Sequence, residues 1–188
     1  VLDHLAFRTL NAHTGEQPGG ITGISHIFEF LGYHRAGKYS FPHKRLSAVH
    51  LEHDDNSLPE IFISEIEADK LPLWARQMIR DEVMETPYLL SDECIELLCR
   101  MQEDGMLTFE AAAILSNELP NYFRRPWKPP RKETVLKLND VSQYAAWVML
   151  HGNSVSHFSS LVNSQDVPEW PDLETTSKIL KQNGVPMA

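Results

Sequence analysis

The alternation of apolar and polar residues predicts a β-strand near the start of the chain. In the segment DHLAFRTL, Leu5 and Phe7 fall on one face of an extended backbone, and His4 and Arg8 fall on the other. The first face is typical of a protein core, whereas the second carries polar side chains of the kind found in functional sites. A half-exposed edge strand with a partly buried histidine is the plainer interpretation of the same pattern.

The segments that follow predict a β-α-β-β-β order within residues 1–67. Apolar residues at helical spacing in ITGISHIFEFLG indicate a helix that ends at Gly32. The segments YHRAGKYSF, KRLSAVHLEHD and PEIFISEIE are short, have β character and are separated by turn formers. We therefore expect a first βαβββ module in this part of the chain.

Residues 68–138 have a different pattern, which predicts a helical insertion followed by a connector. Helices are predicted for KLPLWARQMIRDEV, SDECIELLCRMQEDG and TFEAAAILSNELP, with Ser91 and Thr108 as the N-caps of the last two. The basic, Pro-rich segment NYFRRPWKPPRKETV favours an extended surface connector over a core element. Recognition by a proline-binding module or an acidic partner is the alternative.

Residues 139–188 have the pattern of a second β-α unit. NDVSQYAAWVMLHG predicts a helix with Asn139 near its start and Gly152 beyond its end, and NSVSHFSSLV alternates as a strand that carries His157. DLETTSKILKQNG predicts a helix that Asp172 opens. Since no returning strands follow, we expect an incomplete second module and a longer parent protein.

Composition and charge narrow the classes of function. A net charge of −9 disfavours nucleic-acid binding, and no apolar run approaches the ~20 residues that cross a bilayer. Cys94 and Cys99 lie five positions apart in one predicted helix, so their side chains diverge and a disulfide between them is not expected. We expect a soluble intracellular protein, in the cytoplasm or, if a transit peptide was removed, in an organelle such as a plastid.

Two histidines are candidates for a metal site. His4 and His157 each lie on the first strand of a β-α unit, so pairing of the two units would bring them into one cavity. Two imidazoles and one carboxylate form a site suited to Fe(II), Zn(II) and similar ions. Lys44 and Arg45 are candidates for neutralising a dianionic ligand, although solvation is the usual state of such side chains.

The segment HLEHDD offers a rival site. His50 and Glu52 share one strand face, and with His53 or Asp54 nearby they are candidates for an independent metal site. Lining the cavity, or orienting ligands from behind, is the alternative. Five further histidines have no spacing that singles them out and are expected to be structural or solvent-facing: His13, His26, His34, His43 and His151.

Five blocks, in order along the chain, resemble the 2-oxoadipate dioxygenase/decarboxylase family, also called hydroxyglutarate synthase. The blocks are DHLAFRT, LGYHRAGKYSFPHKRLSAVHLEH, LPEIFISEI, YAAWVMLHG and SHFSSLVN. The resemblance runs from Asp3 to about Gly184 and is weakest over residues 69–119. It implies an α+β fold like that of vicinal oxygen chelate proteins, in which paired βαβββ modules form a mixed sheet around a metal cavity.

The resemblance also implies a site and a reaction. It implies Fe(II) bound by His4, by His157 and by a glutamate beyond Ala188, with Arg8 as the anchor of a substrate carboxylate. The implied reaction converts 2-oxoadipate and O2 into 2-hydroxyglutarate and CO2, in lysine catabolism. A non-catalytic interaction protein on the same fold, and a metal-dependent oxygenase for another 2-oxo acid or a catecholic compound, are the alternatives.

One departure from the family pattern lies beside His157. The family commonly has Asn-His-Phe-Thr, and in this chain Ser156 and Ser159 stand in place of the Asn and the Thr. Since His157 itself is kept, the departure bears more on the positioning of substrate than on metal binding.

Overall fold

The computed structural model describes residues 2–187 and shows a five-stranded mixed sheet with helices against both of its faces. The elements follow the order β1 (Leu2–Leu10), α1 (Gly20–Phe30), β2 (His34–Phe41), β3 (Leu46–Glu52), β4 (Glu60–Ile66), α2 (Leu73–Val83), α3 (Asp92–Asp104), α4 (Phe109–Tyr122), α5 (Lys132–Asn139), α6 (Gln143–His151), β5 (Val155–Ser160) and α7 (Leu173–Gln182). No helix between residues 2 and 187 has the length and apolarity that crossing a bilayer requires.

The strands are arranged in the order β2-β3-β4-β1-β5. β1 is parallel to β4 and antiparallel to β5, and β2, β3 and β4 form an antiparallel meander. The β-α-β-β-β order predicted for the first module is therefore confirmed. The α+β fold class with a mixed sheet is confirmed as well.

The apolar face of β1 packs against α1, as the alternation predicts. Phe7 is buried between the sheet and α1, where it contacts the ring of Phe28 with centroids 5.4 Å apart. The N-cap of α1, Gly19, has no capping side chain. Glu65 on β4 replaces it, because its Oε2 accepts a hydrogen bond of 2.8 Å from the backbone N–H of Ile21.

The opposite face of the sheet is covered only near one end. There α2, α5 and α6 bury the apolar ends of β1 and β4 in a second core cluster, in which Leu10 and Ile66 are almost fully buried. The rest of this face, including His4 and Arg8, is only partly covered. The fold thus leaves the polar side of β1 accessible beside a rigid core.

The helical insertion packs α3 and α4 against the outer side of α1 in a third apolar cluster. Ser91 and Thr108 are confirmed as N-caps, since their hydroxyls accept hydrogen bonds from backbone N–H groups of the first turn at 3.1 and 3.3 Å. Cys94 is buried, Cys99 is exposed, and both are free thiols, as expected. The division of the chain into residues 1–67, 68–138 and 139–188 stays a prediction.

The prediction of a connector at NYFRRPWKPPRKETV is confirmed for residues 123–131, which form no helix or strand, but the expectation that the segment stays on the surface is wrong at Trp127. α4 continues through Tyr122, and α5 begins at Lys132, with Arg131 as its N-cap. Trp127 is buried in the second core cluster, and its indole N–H donates a 3.0 Å hydrogen bond to the carbonyl of Met149. Burial of the large apolar ring is favourable, and its N–H keeps a hydrogen-bond partner inside the protein. Trp127 is therefore buried although charged residues flank it in the sequence.

The helix predicted from Asn139 starts later than expected. Asn139 ends α5, and α6 begins at Gln143 with Ser142 as its N-cap, whose hydroxyl accepts a hydrogen bond of 3.1 Å from Ala145 N–H. Asp172 is confirmed as the N-cap of α7, since Oδ1 accepts a 2.7 Å hydrogen bond from a backbone N–H of the first turn.

Candidate functional site

A cavity of about 660 Å³ opens on the polar face of the sheet, between β1, β4, the β2–β3 turn, α6 and β5. Its charged and histidine lining residues are Arg8, His43, Lys44, Arg45 and His157. Apolar side chains, among them Phe41 and Phe62, form other parts of the wall. The cavity therefore combines a basic lining with apolar surface, a combination suited to an anion that carries an alkyl chain.

The structure brings His4 and His157 together. They lie on the neighbouring strands β1 and β5, where Ala6 pairs with His157 and His4 pairs with Ser159. The centroids of the two imidazole rings are 5.7 Å apart. Sheet pairing thus brings together two histidines that are far apart in sequence, as expected, although only His157 lines the cavity described above. The role of the two side chains as metal ligands stays a prediction.

The Nδ1 atom of each ring is held by hydrogen bonds. His4 Nδ1 lies 2.8 Å from Asp3 Oδ2 and 2.9 Å from Ser159 Oγ. His157 Nδ1 lies 3.1 Å from Ser156 Oγ. Burial lowers the pKa of His157, and the neighbouring His4 and Arg8 lower it further, so the neutral ring is favoured.

The separation of the two rings is compatible with a shared divalent transition metal. Within residues 2–187 neither Nε2 atom has a hydrogen-bond partner, so each is available as a ligand. An imidazole nitrogen binds Zn²⁺ and similar ions at about 2.1 Å, so two rings that share one ion keep their centroids within roughly 6.5 Å. The observed 5.7 Å satisfies this limit. No third histidine, cysteine or carboxylate in the described part of the chain completes a metal cluster.

Arg8 is oriented by aromatic side chains of α6. Its guanidinium carbon lies 5.3 Å from the ring centroid of Tyr144 and 5.0 Å from that of Trp147. Tyr144 is fixed in turn, since its hydroxyl donates a 2.6 Å hydrogen bond to the Ser64 carbonyl, and burial raises its pKa to about 12. No carboxylate of residues 2–187 forms an ion pair with Arg8. The guanidinium is thus positioned on the cavity wall with its charge uncompensated.

A basic turn completes the wall. Lys44 and Arg45, which the sequence offered as pocket candidates, line the cavity from the turn that joins β2 to β3. His43, which sequence reasoning set aside, lies on the same turn and also lines the cavity. No sequence signal marked His43, because its place at the cavity depends on the orientation of the β2–β3 turn.

The rival site at HLEHDD does not form. His50 is engaged at both ring nitrogens, with the hydroxyl of Tyr39 at 2.9 Å and with Glu52 at 3.1 Å. The Nδ1 of His53 accepts a backbone N–H of the following loop, and the Asp54 side chain is 97% exposed. Within residues 2–187 these groups do not converge on a metal position.

Comparison with known proteins finds a matching family model and similar curated proteins. Residues 1–188 match the family model described as HGLS, 2-oxoadipate dioxygenase/decarboxylase. A 2-oxoadipate dioxygenase/decarboxylase of Oryza sativa subsp. japonica, named chloroplastic/amyloplastic, is 26% identical over 192 residues, which cover 97% of this chain and 45% of that protein. The chloroplastic enzyme of Arabidopsis thaliana is 26% identical over 172 residues, which cover 86% of this chain and 39% of its relative. The chain thus spans less than half the length of these curated relatives.

Solved structures share the fold. A glyoxalase superfamily protein from Ralstonia eutropha JMP134 superposes with a TM-score of 0.90 at 26% identity, over 100% of this chain and 57% of that one. Hydroxyglutarate synthase from Oryza sativa in complex with 2-oxoadipate superposes with a TM-score of 0.68 at 23% identity, over 97% of this chain and 53% of that one. Because the family model matches from the first residue to the last, this chain belongs to the 2-oxoadipate dioxygenase/decarboxylase family.

Proposed function

We propose that this protein provides the metal site and substrate cavity of an Fe(II)-dependent dioxygenase/decarboxylase, which converts 2-oxoadipate and O2 into 2-hydroxyglutarate and CO2 in lysine catabolism. The observation that carries the proposal is the placement of two imidazoles with free Nε2 atoms and of an unpaired guanidinium on one face of the sheet. Membership of the family supports the same reaction.

In this proposal His4 and His157 hold the metal through Nε2, and the glutamate implied by the family resemblance, beyond Ala188, completes the ligand set. Fe(II), when bound, supplies the redox chemistry that couples reduction of O2 to oxidative decarboxylation. The protein's own contribution is to bind and orient the 2-oxo acid and to exclude water from the reacting end.

Arg8 orients the substrate by its distal carboxylate. Ala6, which pairs with His157, and Arg8 are two residues apart on one strand face, a separation of about 7 Å along the sheet. An arginine side chain adds reach to this spacing and offers a planar fork that binds a carboxylate through two hydrogen bonds. The distal carboxylate can then rest on Arg8 while the oxo-acid end lies beside the histidines.

The rest of the lining supports the binding of a dianion. His43, Lys44 and Arg45 place cationic or polar groups at the cavity in a chain whose net charge is −9. Local positive potential of this kind raises the concentration of an anionic substrate at the site. Phe41 and Phe62 offer apolar surface to the alkyl segment between the two carboxylates.

The test is anaerobic reconstitution of the full-length protein with Fe(II), followed by measurement of O2 uptake and of 2-hydroxyglutarate formation from 2-oxoadipate. We expect iron-dependent product that disappears in His4→Ala and in His157→Ala. His13→Ala is the matched control, because His13 is an exposed histidine away from the cavity, and it should retain activity. Iron-dependent turnover that survives both site substitutions would refute the assigned ligands, and absence of product in the iron-loaded wild type would refute the reaction.

A further inference from the structure

We infer that Asp3, Ser156 and Ser159 are positioning residues, which hold the rings of His4 and His157 with Nδ1 protonated and leave both Nε2 lone pairs available to a divalent metal ion. The identity of the ligand rests on the proposed function. The protonation pattern, in contrast, is inferred from the hydrogen bonds of this chain alone.

The proton positions around His4 follow from which atoms are able to donate. The carboxylate of Asp3 only accepts, so the 2.8 Å contact with His4 requires a proton on Nδ1. Ser159 Oγ lies 3.2 Å from Asp3 Oδ2 and donates its hydroxyl proton there. Ser159 Oγ also lies 2.9 Å from His4 Nδ1, so the single Nδ1 proton is shared between Asp3 Oδ2 and Ser159 Oγ. These three contacts can all be hydrogen bonds only if His4 carries its proton on Nδ1.

The same reasoning applies to His157. The hydroxyl of Ser156 donates to the backbone carbonyl of Ala6 at 3.2 Å, and a carbonyl oxygen only accepts. With its proton used in this way, Ser156 Oγ accepts the 3.1 Å hydrogen bond from His157 Nδ1. This assignment gives the two rings the same tautomer through different partners, a carboxylate with a hydroxyl for His4 and a hydroxyl with a backbone carbonyl for His157.

Two irregularities of the β1–β5 ladder place these partners. Leu2 and His4 pair with Ser160 and Ser159, so Asp3 has no counterpart on β5. Likewise Ala6 and Phe7 pair with His157 and Val155, which leaves Ser156 without a counterpart on β1.

In a regular strand, consecutive side chains point to opposite faces, whereas an extra residue in one strand turns its side chain aside. Asp3 and Ser156 are the extra residues, and each reaches the histidine that follows it in the chain. The two irregularities of the ladder thus bring Asp3 and Ser156 within hydrogen-bond distance of the two Nδ1 atoms.

A first experiment measures the tautomers without any metal. Long-range ¹⁵N–¹H correlation spectra of the full-length apoprotein with ¹⁵N-labelled histidine, at a pH where the rings are neutral, distinguish Nδ1–H from Nε2–H, with His4→Gln and His157→Gln for assignment. We expect Nδ1–H at both rings of the wild type. Ser156→Ala should change the tautomer equilibrium of His157 only, and Asp3→Ala should change that of His4 only. An Nε2–H tautomer in the wild type, or spectra that these substitutions leave unchanged, would overturn the inference.

A second experiment measures metal affinity with Co²⁺, whose visible absorption reports its ligands. Loss of a hydrogen bond behind a ligating histidine typically weakens metal binding by about 10–100-fold, and we expect this loss in Asp3→Ala, Ser156→Ala and Ser159→Ala. Ser159→Thr keeps a hydroxyl and should restore affinity. Ser160→Ala is the matched control on the same strand, because Ser160 has no hydrogen bond to either histidine.

The two experiments separate the inference from the proposed function. Wild-type affinity for Co²⁺ in all three alanine variants would overturn the positioning role. A wild-type protein that has Nδ1–H at both rings but binds no Co²⁺ would refute the proposed function, while its tautomer pattern would still support the positioning of the rings.

Discussion

Replacement of Arg8 by lysine tests the geometry of the cavity most directly. Lysine keeps the positive charge but loses the planar fork, so it forms one strong hydrogen bond to a carboxylate where arginine forms two. Because the distal carboxylate takes no part in the chemistry, the lost contact affects the ground state and the transition state equally. We therefore expect a raised KM for 2-oxoadipate with kcat almost unchanged.

The magnitude follows from the contacts of Arg8. A hydrogen bond to a charged group contributes about 1.5–3 kcal/mol, so the loss of one bond of the pair raises KM by about 10-fold or more. Arg8→Gln removes the charge as well and should raise KM by about 100-fold. The guanidinium also lies 5.3 and 5.0 Å from the centroids of two aromatic rings. Loss of these contacts lowers the free energy of unfolding by about 1 kcal/mol.

Steady-state kinetics over a range of 2-oxoadipate concentrations, together with urea unfolding, separates binding from stability. Arg80→Lys is the matched control, since Arg80 is exposed on α2 and remote from the cavity. A substrate that lacks the distal carboxylate provides a second control, because its KM should be the same for wild type and Arg8→Lys. An unchanged KM for 2-oxoadipate in both Arg8 variants would refute the assignment of Arg8 as carboxylate anchor.

Three further predictions concern stability and reactivity. Tyr144→Phe should lower the free energy of unfolding in urea by about 1–2 kcal/mol, because the hydrogen bond to the Ser64 carbonyl is lost, and an unchanged value would contradict the contribution of this bond. Burial is the main cause that raises the pKa of Glu65 above its ordinary 4.5, so the folded state holds this proton more tightly than the unfolded state does. The free energy of unfolding should therefore fall as the pH rises from 4.5 through the raised pKa. Urea unfolding of Glu65→Gln at a series of pH values should lack this contribution to the pH dependence. Burial raises the pKa of Cys94 to about 11, so a thiol reagent should modify only the exposed Cys99 in the native protein, and Cys99→Ser should abolish the fast phase.

Local patterns in the sequence account for most of the fold. The alternation around Phe7 identifies the buried face of β1, and turn and capping residues such as Ser91, Thr108 and Asp172 identify helix starts that the structure confirms. These features depend on neighbours within a few positions along the chain. Sequence patterns report such neighbours well.

Features that depend on distant contacts were not predictable in this way. The burial of Trp127 requires the carbonyl of Met149 and a core contributed by β1 and β4, so the Pro-rich segment gave no sign of it. His43 lines the cavity because of how the β2–β3 turn is oriented. Asp3 and Ser156 contact the histidines only because the ladder is irregular, whereas the prediction assumed strict alternation.

The position of β5 in the sheet links assembly of the site to completion of folding. Ser159 and His4 are 155 residues apart in sequence, whereas the β2–β3 and β3–β4 pairings join neighbouring strands through short turns. The entropy of loop closure grows with the logarithm of loop length, by about 0.6 kcal/mol per doubling, so pairing of β5 with β1 is entropically the most costly of these pairings. A partly folded chain in which β5 is undocked has no histidine pair. A ligand that bridges the two histidines should consequently slow the undocking of β5, and protection of the β5 amides from hydrogen exchange would rise with its concentration.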